Sequence, residues 1–477
     1  MTAHRWSALS SVRLIARSRR LRAEERTATA GHVLLRLIVP LGLAGLTAAL
    51  RVGMLQSPAQ PVEAQHVAQV YAVAELGKLL DPLGAAAAPL AWLQIGGYTA
   101  LTDAFARHAT GAIAVRESIL FASACCALLV WLFARRMSLS RWTAAAAVGM
   151  VALSPMAISI QSAVRPENVA MPWALAGLGL LWTHNRHRSL APDLWATAFL
   201  VIAVITAPVM LALVPTGAWL IWRRRRKRLS LMVASLFTLG VGIGLGTTRV
   251  LDGAYLTGDG PVPAHWVAMD PVLAATAVFA ACGALFSYRL RPLAVGVLSL
   301  IVTALIPGGP GTAALTVVPP LAALLIAGTV ECGITHRERV GRHQLVRPFL
   351  VPTAALAVTV AAFAIPAWAS PVGATERSDI APAVAAAGWL RVNLPEARIL
   401  TDDSMWVDLV RGGRPIAATT RPDECVDTCL AQSWLLLTPA LRQDIDVRPG
   451  LASAVDRSKL VAVFGAGETR VEVRSHP

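Results

Sequence analysis

An all-α polytopic membrane bundle of about 11 transmembrane helices, followed by a small C-terminal α/β domain, is the fold class this sequence predicts. Three observations predict it. Of 477 residues, 55% are hydrophobic and only 15% charged, with a mean hydropathy of +0.58, which is too apolar for a chain whose whole surface faces water. Long apolar runs recur through the first 370 residues, separated by short arginine clusters. The charge balance then changes: from Pro371 onward there are 12 Arg and Lys against 14 Asp and Glu, while the first 370 residues hold 31 against 14. The net charge of +15 therefore belongs to the membrane part. Its arginines sit beside apolar runs, where cytoplasmic loops hold them, so no nucleic-acid partner is expected and membrane lipids are.

Taken in order, residues 1–31 form a basic, polar tail without the apolar stretch and small-residue cleavage site of a secretory signal, and are expected to be cytoplasmic. A crossing helix needs about 20 apolar residues. On that criterion spans fall at roughly 32–54, 110–134, 141–158, 166–183, 229–250, 269–287, 292–307, 311–329 and 348–369. The run 193–222 is too long for one span and holds Pro208 in its middle, so it is divided into two short spans near Thr206-Ala207-Pro208. With the N-terminus inside, every basic cluster between spans is cytoplasmic, including the hexad 223–228. The outer segments are then 55–109, 251–268, the Gly308–Gly311 turn and everything after Pro371. Within the first outer loop, 63–80 and 88–105 carry helical apolar patterns with polar residues interspersed, as amphipathic helices of the membrane interface do.

The domain 370–477 changes pattern. A helix over 381–393, a strand at 398–401, a helix over 403–411 and apolar runs at 433–437, 460–464 and 469–473 alternate as in a compact α/β domain with its own core. Placed outside the plasma membrane, it exposes Cys425 and Cys429 to oxidation, and the two either close a very short disulfide loop or remain free thiols. Asp402, Asp403 and Asp408 follow a strand end, where a carboxylate pair can bind a divalent cation and where helix capping by Asp402 or Asp403 is the cheaper explanation. No other cofactor is called for. Phosphate-binding glycine loops, paired Cys-x-x-Cys zinc sites and Gly-x-Ser-x-Gly elbows are all missing from the sequence.

Four stretches carry a resemblance: Glu63 to Gln69 directly after the first span, Pro89-Leu90-Ala91-Trp92-Leu93-Gln94, Ser154-Pro155 to Arg165-Pro166-Glu167-Asn168, and Gly388 to Leu409. Together with the plan of spans and the outer C-terminal domain, they resemble the type-C glycosyltransferases, and within them the protein-mannosyltransferase and aminoarabinose-transferase-like branch. The resemblance implies an enzyme that takes a sugar from a polyprenyl-phosphate carrier and passes it, with inversion, to an extracytoplasmic glycan or protein acceptor. It implies an outer carboxylate as general base and cationic groups on the carrier phosphate. On this sequence the base falls to Glu63, since the family's Asp-Glu pair is Val62-Glu63 here; the Asp-His-Pro-Pro-like run is Ala86-Ala87-Ala88-Pro89, and Ala207 stands where a lysine is often found. Glu63 is thus either the base or an organiser of the phosphate site. His66 shares its helix face for phosphate or metal, and Arg165 with Glu167 either face the carrier phosphate or form a local ion pair at a helix start. These departures keep open a second reading, a catalytically silent relative that binds a lipid-linked sugar or scaffolds envelope synthesis.

Overall fold

The computed structural model describes residues 38–56, 61–79, 88–182, 191–223, 267, 270–306, 310–339, 381–424, 434–445 and 448–475. The expected spans at 229–250 and 348–369, most of the arginine hexad, and Cys425 with Cys429 lie outside these residues.

Helix α1 (Ile38–Leu55) enters the bundle, and after it come α2 (Pro61–Glu75), α3 (Pro89–Leu101) and the single turn α4 (Ala104–Arg107). The bundle continues with α5 (Gly111–Arg136), α6 (Arg141–Leu153), α7 (Pro155–Ile160), α8 (Pro166–Trp182), α9 (Ala191–Thr206), α10 (Val214–Arg223), α11 (Pro271–Leu285), α12 (Arg291–Leu305) and α13 (Gly311–Arg339). Among the described residues, α1, α5 and the Gly311–Gly333 part of α13 are long and apolar enough to cross a membrane, and the others are shorter. The expected span 141–158 is two helices, because Ser154 leaves the helical conformation and caps α7 through the amide of Ala157, with Pro155 at its first position.

The proline break is where the sequence places it. Ala207 is extended, and Pro208 starts a 3-10 turn that leads into α10. The chain doubles back there: a Cβ on Gly217 would lie 3.6 Å from a Leu200 methyl, whereas a straight helix would separate residues 17 apart by about 25 Å. Small residues let the helices approach. A Cβ on Gly177 would stand 2.9 Å from the Ala196 carbonyl oxygen, so α8 and α9 pack together over a glycine.

Of the helices expected at the membrane interface, α2 departs from expectation. α2 does not lie with one face open: Val67, Ala68, Val70 and Ala72 are completely buried, as α3 and α5 pack against it and the C-terminal helix α15 (Asp403–Arg411) covers it. Among its polar residues, Glu63, His66 and Gln69 are buried in the protein.

The C-terminal elements fall close to the expected positions. α14 (Ala381–Asn393), β1 (Ile399–Leu400), α15, β2 (Thr419–Thr420), β3 (Trp434–Leu437), α16 (Pro439–Gln443), α17 (Pro449–Arg457), β4 (Lys459–Phe464) and β5 (Val471–Ser475) build a five-stranded sheet of order β2-β1-β3-β5-β4. β1 is parallel to β2 and β3; β5 runs antiparallel to β3 and β4. One face of the sheet packs on α14 and the other on α16 and α17. Trp406 and Val407 of α15 instead join the core of the loop helices, where Trp406 meets Tyr71 edge-on at 6.1 Å.

Candidate functional site

Pro61 starts α2, and one turn in, Glu63 faces α5. There Arg116 meets it with a two-pronged ion pair, Nε to Oε1 at 2.7 Å and Nη2 to Oε2 at 2.6 Å. The Val164 amide donates to the same Oε1 at 3.0 Å. Arg116 also reaches back with Nη1 to the carbonyls of Met54 and Leu55, at 3.3 and 2.9 Å, closing the end of α1. Both side chains are buried, with 3% and 5% of Arg116 and Glu63 exposed. Burial pushes the Glu63 carboxyl up, but the Arg116 guanidinium, the Val164 amide and Arg165 together more than offset this and hold it below its ordinary value.

His66, one turn further, hydrogen-bonds through Nδ1 to the Val164 carbonyl at 2.7 Å, so Nδ1 carries the proton and Nε2 the lone pair. Its ring lies on Trp92 of α3 at 4.7 Å. Burial drives it down to about 4, so it is neutral at physiological pH. Val164 thus takes both expected residues of α2, Glu63 on its N–H and His66 on its C=O.

Arg165, next in the chain, is half-buried and donates to the Thr312 hydroxyl of α13 at 3.4 Å. It lies near enough to Glu63 and His66 to lower the pKa of each. Glu167 is buried in the first turn of α8, and its neighbour Asn168 donates to the carbonyls of Ile160 and Ala163, fixing the turn that carries Val164 and Arg165. No ion pair between Arg165 and Glu167 is formed among the described residues. Glu63, His66 and Arg165 are brought together, while Glu167 lies buried in the first turn of α8.

Asp402 is the cap of α15, its Oδ1 accepting from the amides of Ser404 and Met405, and Asp403 pairs with Arg421 at 3.4 Å. Among the described residues no group of three or more His, Cys, Asp and Glu side chains is placed to hold a metal ion.

Sequence reasoning missed Arg116 and, one helix away, Arg51. Both stand inside apolar runs, where a charged residue has to find an internal partner, and that was the available signal. Arg51 donates to the carbonyls of Thr47, Val151 and Ala157 and to Oε1 of Gln161. It thereby closes the C-terminal end of α6 with a cation, where the helix dipole favours one. A further missed group is Asp270, which caps α11 through the Leu273 amide and accepts from the Ser154 hydroxyl at 2.5 Å.

This arrangement of loop helices, bundle and terminal sheet has solved counterparts. The chain is similar to ArnT from Cupriavidus metallidurans bound to undecaprenyl phosphate, with a TM-score of 0.51 over 93% of this chain and 98% of that one, at 14% identity. Against the apo state of ArnT the TM-score is 0.50 over 94% and 98%, again at 14% identity. The chain has the ArnT fold. No family model and no curated protein matches the sequence.

Proposed function

We propose that the chain is a membrane glycosyltransferase that moves a sugar from a polyprenyl-phosphate carrier to an extracytoplasmic acceptor. The observation that carries the reading is a fold matched along 98% of a protein solved with undecaprenyl phosphate. The polar assembly of Glu63, Arg116, His66 and Arg165 supports it from within this chain. In the reaction the acceptor oxygen bonds to the anomeric carbon from the face opposite the carrier, the bond to the carrier phosphate oxygen breaks, and the acceptor proton goes to a base.

Arg165 is the group suited to the carrier phosphate, because its one described side-chain hydrogen bond leaves most of its donors open and it stands half-exposed. Glu63 fits the organiser's role better than that of a strong base. A carboxylate has about four lone-pair sites, and Arg116 with Val164 occupies three of them here, leaving one on Oε2. With its pKa held down, that lone pair is a weak proton acceptor, so most of the rate enhancement falls to positioning and phosphate neutralisation.

The test is a transfer assay with membranes and labelled polyprenyl-phosphate sugars. Wild type is expected to transfer, Arg165→Ala to weaken donor use with partial rescue by more donor, and Glu63→Gln to lower kcat by roughly a hundredfold through misplacement of the groups it organises. Transfer by wild type that neither substitution alters would discard the site, and silence toward every labelled donor would discard the activity.

A further inference from the structure

At the end of the bundle remote from Glu63, three separate parts of the chain meet. Arg289, in the turn between α11 and α12, donates to the Met137 carbonyl in the turn between α5 and α6. Gly328 of α13 lets the two turns close, since a Cβ there would stand 3.0 Å from Leu290 and 3.3 Å from Met137. Arg223, the last residue of α10, lays its guanidinium over the Tyr288 ring at 4.3 Å. Arg135, Arg136, Arg141 and Arg291 lie in the same turns or at the ends of the helices beside them. Among the described residues none of these arginines is in an ion pair with a carboxylate. Glu331, an acid of this region, accepts from the Thr143 hydroxyl.

Around the arginines stand large side chains in the open: Trp142 is 86% exposed, Trp222 76% and Phe286 87%. Aromatic rings collect at the level of lipid headgroups, and basic residues there face lipid phosphates. A topological signal needs only the number of charges. Here the charges are also fixed in place, for stacking on Tyr288 occupies the face of the Arg223 guanidinium and leaves its N–H edges for an anion, and the Met137 carbonyl holds Arg289, the residue next to Tyr288 in the chain.

We propose that this face, formed by the 137–142 and 285–291 turns and the end of α10, binds the phosphate headgroup of an anionic phospholipid. The binding is independent of sugar transfer. Phosphate oxygens take the guanidinium edges of Arg223, Arg289 and Arg291, and the acyl chains lie along the exposed apolar side chains Phe279 and Phe286 of α11 and its end.

The full chain, purified in detergent, is titrated with phosphatidylglycerol, with phosphatidylcholine and with inorganic phosphate, and thermal unfolding is followed. Phosphatidylglycerol is expected to raise the melting temperature, and the other two to leave it unchanged. The double variant Arg223→Gln, Arg291→Gln is expected to need at least about tenfold more phosphatidylglycerol for half the effect, each lost cation weakening headgroup attraction. Arg107→Gln serves as the control, since Arg107 precedes the opposite end of α5 and the helix separates it from the proposed face by about 39 Å. Equal responses of wild type and double variant would overturn the proposal, as would equal effects of the two lipids or a full effect of inorganic phosphate. If the double variant does not fold, native mass spectrometry of wild type decides: retention of phosphatidylglycerol over phosphatidylcholine that disappears in high salt upholds the site, and equal retention of both removes it.

Discussion

In the C-terminal domain and in the helical bundle, buried charge is handled differently. Glu472 of β5 lies among Arg442, Arg470 and Arg474, at 3.5, 2.9 and 2.7 Å, with each arginine partly in solvent. In the bundle Arg51 is wholly buried and ends on carbonyls and an amide, and Arg116 pairs with Glu63 with both partners out of water. The first arrangement shares one carboxylate among several exposed cations, so losing one leaves others. The second pairs its two charges away from solvent. Ion pairs at a surface are worth little, while removing half of a buried pair strands the other charge.

The largest expected effect tests that contrast. Arg116→Leu leaves Glu63 buried with the Val164 amide and the more distant charge of Arg165, and should destabilise by about 3–5 kcal/mol. Arg474→Ala should cost about 1 kcal/mol or less. The double variant Glu63→Leu, Arg116→Leu should recover much of the loss, because no charge is left unpaired. Thermal unfolding in detergent measures all three. If Arg116→Leu costs no more than Arg474→Ala, the two regions do not differ in the way their geometry indicates.

The same contrast explains what could be read from the sequence. In the C-terminal domain, alternation and turn residues placed α14 at 381–393 and α15 at 403–411, as observed, because each element shows one face to solvent and one to a core. In the bundle, hydropathy located helices but not their ends, and it passed over the Ser154 break because Ser and Pro differ little from their apolar neighbours in a span-length window. That α2 is buried rather than interfacial escapes the sequence for a related reason. Its period is helical, yet its polar residues are paid for by distant partners, Arg116 at 53 positions and Val164 at 98 or more, that no local pattern reveals. The grouping of Glu63, His66 and Arg165 was legible through the resemblance; the guanidinium that ties up Glu63 was not.

An intermediate effect is expected where the two regions meet. Asp408 of α15 accepts from the Gly111 amide at 2.7 Å and from Arg411 at 3.2 Å, while Arg411 reaches the carbonyls of Phe105 and His108. A Cβ at Gly111 would stand 2.6 Å from Val407, so the close seam needs glycine. Burial pushes the Asp408 carboxyl up to about 6, against the pull of Gly111 and Arg411 and with a small push from Asp402. The folded protein therefore holds this proton more tightly than the unfolded chain, and stability contributed by the group is present below about pH 4 and lost as pH rises to 6. Two units correspond to about 3 kcal/mol at most. Asp408→Asn keeps an acceptor for Gly111 and should flatten the fall in melting temperature between pH 4 and 6. An unchanged slope would remove Asp408 as its source.

A smaller effect than that at the seam is expected at Asp402, which lies wholly within the C-terminal domain. Its Oδ1 accepts from the Ser404 and Met405 amides at 2.9 and 3.1 Å, and its Oδ2 from the Thr438 hydroxyl at 2.6 Å, joining the start of α15 to the end of β3. Asp402→Ala removes a helix cap, worth about 0.5–2 kcal/mol. Asp402→Asn retains an oxygen for the amides and should cost less, because Asn caps about as well as Asp. If Asp402 instead held a divalent cation, a chelator would destabilise wild type and leave Asp402→Asn unchanged, whereas capping alone predicts no response to chelator in either protein. Melting curves with and without chelator separate the two roles, and a chelator-sensitive wild type would overturn the assignment of Asp402 as a cap alone.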